Sequence, residues 1–99
     1  MDYAVILSPK AVGDLEAIVQ YVGLSNPDVM RKVGLSLLAR AKELGQFPFR
    51  GQPVPEFFNR PDIRQSILKP FRIVYRVEEE KKRVSIIRFW YLSQANLEP

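Results

Sequence analysis

The chain has 99 residues, with 15 Lys and Arg against 11 Asp and Glu for a formal net charge of +4, and it contains neither cysteine nor histidine. This composition excludes disulfides, thiolate nucleophiles, sulfur-ligated metals and every role of imidazole in catalysis or metal binding. We therefore expect no metal and no cofactor, and any enzyme here must work with Lys, Arg, Tyr, Ser, Asp and Glu. The length predicts one domain over residues 1–99.

The first apolar run, Tyr3–Leu7, is too short for a signal sequence or a membrane span, and it predicts a buried strand. A cytoplasmic protein without a membrane partner is therefore expected. Ser8 and Pro9 form a helix start signal, because Ser is a good N-cap and Pro fits the first helical position. An amphipathic stripe then predicts a helix that ends near residues 21–24, and its apolar positions are Leu15, Ile18, Val19 and Val22.

A second helix start signal follows at Asn26 and Pro27. Gly45 is a natural stop, so the helix is expected to end there. The apolar face of this helix contains Met30, Val33, Leu37, Ala41 and Leu44. The two helices are joined by a short turn, which predicts a helical hairpin over about residues 9–45.

The segment 47–61 is rich in proline, which predicts a stiff loop without regular structure. After it, a period of two predicts a β-meander over residues 63–92, with strands at Ile63–Leu68, Phe71–Glu78 and Val84–Leu92. The predicted order is β-α-α-β-β-β. We therefore expect an α+β fold in which the helical hairpin packs on a small, mostly antiparallel sheet.

The whole positive excess lies in the second half of the chain. Residues 1–49 hold five basic and five acidic side chains, whereas residues 50–99 hold ten and six. The meander gathers cations and two aromatic residues, namely Arg64, Lys69, Arg72, Arg76, Arg88, Trp90 and Tyr91. Because Arg binds phosphate and carboxylate through its planar fork and aromatic rings stack on bases, these residues predict a site for nucleic acid or an acidic peptide.

An alternative interpretation assigns the same residues to the fold. In it, Arg72 and Arg76 pair across strands with acids such as Asp62 or Glu78, and Trp90 and Tyr91 complete the core. Alternation along the last strand predicts that Ile87 shares a face with Phe89 and Tyr91, opposite Arg88 and Trp90. Asp14 and Glu16 are expected to act as favourable charges in the first turn of the first helix.

Nearly the whole chain resembles the RelE/ParE superfamily of toxins from type II toxin–antitoxin systems. The resemblance rests on residues 7–11 (LSPKA), 14–18 (DLEAI) with Tyr21, 47–51 (FPFRG), 71–77 (FRIVYRV) and 84–88 (VSIIR). The first and third of these blocks favour the ParE-like branch. The resemblance implies a cytoplasmic toxin of the plasmid stabilisation type that is neutralised by a cognate antitoxin, with DNA gyrase as the target.

RelE-like members instead cut mRNA on the ribosome, and this is the alternative function. The resemblance then implies a catalytic role for Arg72, with Arg64 and Tyr91 as further candidates. Many relatives carry a His followed by basic residues where this chain has Tyr91 and Gln94, which favours a toxin that is not an enzyme. A second alternative is a degenerate toxin that serves mainly as antitoxin partner and co-repressor.

An antitoxin tail is expected to lie along the groove between helices and sheet, with its acids on Arg64, Arg72 or Arg76. Under this expectation, Arg72→Glu weakens the complex. The C-terminal segment Ser93–Pro99 has no periodicity, so the sequence does not identify which of its residues reach the target.

Overall fold

The structure, a computed structural model, describes residues 2–93, so Gln94 and the rest of the C-terminal segment lie outside the described residues. The elements in chain order are β1 (Ala4–Leu7), α1 (Pro9–Gly23), α2 (Pro27–Gln46), β2 (Gln52–Pro53), β3 (Ile63–Leu68), β4 (Phe71–Glu78) and β5 (Arg83–Tyr91). Two 3-10 turns lie at Pro55–Phe57 and Glu79–Lys81. Within residues 2–93, no helix has the length and apolar character needed to cross a membrane.

Both helices begin where their start signals predict. The Ser8 hydroxyl accepts a hydrogen bond from the Ala11 N–H at 3.1 Å, and the Asn26 side chain accepts from two backbone N–H groups of α2. Ser8 also donates to the carbonyl oxygen of Ile87 at 2.9 Å, so the cap ties the start of α1 to β5. These caps satisfy N–H groups that have no partner inside the helix.

Gly45 does not end α2, so the predicted stop is wrong. The helix continues to Gln46, and Gly45 is buried at the point where α2 meets the chain entering β1. The Tyr3 N–H donates to the Gly45 carbonyl at 2.8 Å, and a Cβ atom on Gly45 would lie 2.6 Å from the Tyr3 carbonyl oxygen. Glycine is therefore required here for close approach rather than for a turn.

The five strands form one sheet in the order β1-β5-β4-β3-β2. β1 runs parallel to β5, and the other neighbours are antiparallel, which confirms the predicted α+β architecture. Two local predictions are wrong. β1 is an edge strand with Ile6 43% exposed rather than a buried strand, and the proline-rich segment contains the short strand β2, which was expected to be loop.

The sheet is covered on both faces. The helices cover one face, where the fully buried side chains include Leu37, Leu44, Ile73 and Phe89. The proline-rich segment covers part of the other face, where Val54 packs with Ile63, Val74 and Trp90. The prediction of a helix-covered sheet therefore accounts for one of two apolar clusters.

A β-bulge in β5 changes which residues share a face. Val74 pairs with Arg88, but the next residue of β4 pairs with Ile86, so Ile87 is the extra residue. Ile87 consequently packs beside Trp90 in the second cluster, whereas Phe89 belongs to the helix-side core. The predicted face for Ile87 is wrong because strict alternation does not hold through a bulge.

Candidate functional site

Arg72 lies on β4 and points into the face covered by the proline-rich segment. It is 6% exposed, and its guanidinium donates to both carboxylate oxygens of Glu56, at 3.0 and 3.4 Å, and to the Gln65 side chain at 3.1 Å. The hydrogen bonds from Arg72 lower the pKa of Glu56. A buried guanidinium needs such partners, since an uncompensated buried charge is strongly unfavourable.

Glu56 is held in place by the path of the proline-rich segment. The Tyr75 hydroxyl is fully buried, donates to the Pro48 carbonyl at 2.8 Å and accepts from the Gly51 N–H at 3.0 Å. Burial raises the pKa of Tyr75. The chain then passes through the 3-10 turn Pro55–Phe57, which presents Glu56 to β4. Tyr75 thus fixes the segment that neutralises Arg72.

Arg88 is also neutralised within the chain. Its guanidinium donates to both carboxylate oxygens of Asp14, at 2.7 and 2.8 Å, and this pairing raises the pKa of Arg88. Asp14 also accepts the Phe89 N–H at 3.1 Å, on the edge of β5 beyond the end of β1. The expectation of first-turn charges is therefore wrong for both Asp14 and Glu16, because α1 begins at Pro9 and no acidic residue lies in its first turn. Asp14 serves β5 instead, and Glu16 is exposed further along the helix.

Trp90 lies between two of the candidate arginines. The guanidinium carbon of Arg88 is 4.4 Å from the ring centroid, and that of Arg72 is 5.9 Å away. Trp90 is 5% exposed, and its indole Nε1 has no hydrogen-bond partner among residues 2–93. Tyr91 packs on the other face of the sheet, with its ring centroid 4.9 Å from that of Phe71. Both aromatic residues therefore complete cores, as the alternative interpretation predicts.

The remaining cations lie nearer to solvent. Arg76 and Arg60 share Asp62, at 3.1 and 2.9 Å, and the hydrogen bonds from Arg60 lower the pKa of Asp62. Arg64 donates to the Gly51 carbonyl at 2.8 Å and lies 5.2 Å from the centroid of the exposed Phe49 ring. Lys69 is exposed in the turn between β3 and β4.

The structure does not gather the seven candidate residues into one patch. Arg64 and Arg76 line a groove of about 520 Å³ with the turn after β4. A second groove, of about 530 Å³, lies between α1 and the end of β5 and is lined by Asp14, Ala17, Ile18, Tyr21, Arg88, Phe89, Trp90 and Tyr91. Arg72 and Lys69 line neither of these two grooves.

Arg76 pairs with Asp62, as the alternative interpretation predicts, whereas the partner of Arg72 is Glu56, which the sequence did not indicate. Glu56 precedes Arg72 by 16 residues, and Asp14 precedes Arg88 by 74. No local spacing signals either pair. Across residues 2–93, no three His, Cys, Asp or Glu side chains lie close enough to hold a metal ion.

The family model described as "ParE toxin of type II toxin–antitoxin system, parDE" matches residues 5–95. A search of curated protein sequences found no match. Among solved structures, the fold is similar to the chromosomal ParDE toxin–antitoxin system from P. aeruginosa, with a TM-score of 0.78 and 24% identity over 92% of this chain and 97% of that chain.

Two further structures share the fold. The toxin–antitoxin complex RelBE2 from Mycobacterium tuberculosis has a TM-score of 0.68 and 20% identity, over 92% of this chain and 99% of that chain. A mutant of the E. coli toxin RelE in the free state also has a TM-score of 0.68, with 18% identity over 94% and 86%. Both branches of the superfamily therefore share this architecture, and the fold alone does not separate them.

Proposed function

We propose, from the premise that this chain belongs to the family of ParE toxins of type II toxin–antitoxin systems, that it arrests growth by binding DNA gyrase and does not cut RNA. As a toxin of this class, it has an antitoxin protein as its partner. In this proposal the antitoxin is encoded with the chain, acts in the cytoplasm and blocks the surface that binds gyrase.

The proposal rests on the burial of Arg72 and on its ion pair with Glu56. In the ribonuclease alternative, Arg72 would have to stand beside the scissile phosphate, where its charge would stabilise the transition state. Here the guanidinium is buried and bonded to Glu56 and Gln65, and an RNA phosphate would have to displace the carboxylate. Arg72 therefore serves as a structural ion pair in this chain.

The other two candidate catalytic residues support the same conclusion. Arg64 lines the groove beside the turn after β4, whereas Tyr91 lines the groove between α1 and β5. Catalytic groups must meet at one reacting centre, within about 3 Å of the atoms that they serve. Because Arg64 and Tyr91 face different grooves, they do not form one catalytic set with Arg72.

The exposed aromatic side chains suit a protein target. Tyr21 is 70% exposed at the wall of the second groove, and Phe58 is 88% exposed on the proline-rich segment. Large aromatic residues are enriched in the buried centres of protein interfaces because they bury much apolar surface with little loss of side-chain freedom. These residues are the first variants to test for loss of gyrase binding.

Purified toxin should inhibit supercoiling by gyrase and leave translated mRNA intact in a primer-extension assay. Tyr21→Ala should weaken the inhibition, while Glu80→Ala, a change of an exposed acid, serves as the matched control. Unaffected gyrase at a large excess of toxin would contradict the proposal. Cleavage of mRNA that is abolished by Arg72→Lys would favour the ribonuclease alternative, and the absence of growth arrest on induction would favour the degenerate toxin.

A further inference from the structure

A stripe of four residues on α2 has no role in either core. Arg31, Leu35, Leu38 and Lys42 follow one another at spacings of four, three and four residues, which places them in one line on the helix surface. Leu35 is 61% exposed and Leu38 is 42% exposed. We call these four residues the α2 stripe.

The charges of the α2 stripe are not used within the fold. Among residues 2–93, none of the ion pairs includes Arg31 or Lys42. The adjacent acid, Glu43, is already shared by Arg40 at 3.7 Å and Arg50 at 3.3 Å. The stripe therefore offers two exposed leucines between two cations that form no ion pair with any of the described residues.

We infer that the α2 stripe is a docking surface for an acidic amphipathic helix of the antitoxin, an inference that rests on the proposed function. Apolar side chains of that helix cover Leu35 and Leu38, and carboxylates on either side of them meet Arg31 and Lys42. At 1.5 Å per residue, the two cations lie about 16 Å apart along α2, so the matching acids stand about three turns apart. This surface is distinct from the arginine face that the sequence suggested for the antitoxin.

A second copy of this chain does not fit the same surface. Arg31 and Lys42 are placed symmetrically about the midpoint between the two leucines. An antiparallel two-fold pairing of α2 helices would set Arg31 against Lys42 of the other copy, and a parallel one would set each cation against itself. Both arrangements place like charges together, which disfavours self-association, whereas an acidic partner gains from the same charges.

The test is a charge reversal on the toxin. The double variant Arg31→Glu/Lys42→Glu should weaken binding of the cognate antitoxin by about tenfold or more in calorimetry, because each acid of the partner then faces an acid. The loss should shrink at high salt, since exposed charges are screened. Lys32→Glu reverses an exposed cation of the same helix that lies about 100° around α2 from Arg31, outside the stripe. It is the matched control and should change the affinity by less than about twofold.

Further variants of the toxin and of the antitoxin test whether the loss of affinity comes from the α2 stripe itself. Leu35→Ser removes apolar contact without altering charge and should also weaken binding, and circular dichroism checks that each variant is folded. Reversing the facing acids of the antitoxin to Lys should restore affinity for Arg31→Glu/Lys42→Glu. Unchanged affinity in the charge-reversal variant would overturn the inference, as would a stable dimer of the toxin alone in sedimentation that this variant dissolves.

The growth assay separates this inference from the proposed function. If the wild-type toxin arrests growth and the antitoxin suppresses the arrest, but the α2 variants bind normally, then only the docking surface is refuted. If the wild-type toxin never arrests growth, then the proposed function is refuted, whatever the affinities.

Discussion

Replacing Glu56 with Ala tests whether a buried ion pair fastens the proline-rich segment to the sheet. Arg72 has a side chain only 7% exposed and would keep its charge without its carboxylate partner, whereas the Glu56 side chain is 26% exposed. Breaking a buried pair costs about 3–5 kcal/mol. Because Glu56 is partly hydrated and Gln65 remains as an acceptor, we expect a smaller loss, about 2–3 kcal/mol of unfolding free energy.

Removing Arg72 instead of Glu56 should cost less unfolding free energy. In Arg72→Met an apolar side chain fills part of the space and Glu56 can turn to water, so we expect a loss of about 1 kcal/mol. The double variant Glu56→Ala/Arg72→Met should therefore be more stable than the sum of the single losses predicts, by about 1–2 kcal/mol. Urea unfolding followed by the fluorescence of Trp90, the single tryptophan, measures all three variants, with Glu80→Ala as control.

The same pair predicts a dependence on pH. Hydrogen bonds from Arg72 lower the pKa of Glu56 from its ordinary value of 4.5, so its contribution is fully present above that value. The contribution is lost as the pH falls through the folded pKa, and the difference between wild type and Glu56→Ala should shrink there. The ion pair does not fasten the segment if the unfolding free energy of Glu56→Ala stays within about 0.5 kcal/mol of wild type at neutral pH, or if the two single losses simply add.

Two further predictions concern packing and charge. Gly45→Ala should lose about 2 kcal/mol of unfolding free energy, measured in urea, because the new Cβ would lie 2.6 Å from a backbone oxygen. Gly13→Ala is the control and should gain about 1 kcal/mol, because nothing lies within 4 Å of its Cβ position. Equal effects of the two substitutions would contradict the close-approach role of Gly45. Hydrogen bonds from Arg83 lower the pKa of Glu78 to about 2, so stability present above pH 4.5 is lost as the pH falls toward 2. Glu78→Gln should therefore reduce the dependence of stability on pH between 4.5 and about 2. A series of thermal unfolding temperatures that matches wild type at every pH would refute this prediction.

Local sequence signals placed most of the elements. The caps at Ser8 and Asn26 act through side-chain oxygens on N–H groups two or three residues away, and the bounds predicted for Ile63–Leu68 and Phe71–Glu78 agree with β3 and β4. Such signals can be recognised in the sequence because the interacting residues lie within one helical turn or one strand. The family resemblance could be recognised for a similar reason, because it rests on short contiguous blocks of sequence. The family match over residues 5–95 confirms it.

The candidate site could be predicted from the sequence only in part. The sequence identified which residues carry charge and aromatic surface, but not which of them remain open to a partner. Arg72 and Arg88 are the clearest cases, because each is neutralised by an acid that lies 16 or 74 residues away along the chain. Pairs at such separations leave no periodic pattern, and they form only when the proline-rich segment and α1 close over the sheet.

By itself, the sequence determined the order of helices and strands, the basic second half of the chain and the membership of a toxin family. Tertiary structure alone decided that β1 pairs in parallel with β5, that a bulge moves Ile87 to the second face, and that the arginines divide between two grooves and a buried pair. The physical reason is that burial and ion pairing depend on what covers a surface. In this chain, residues remote in sequence provide that cover.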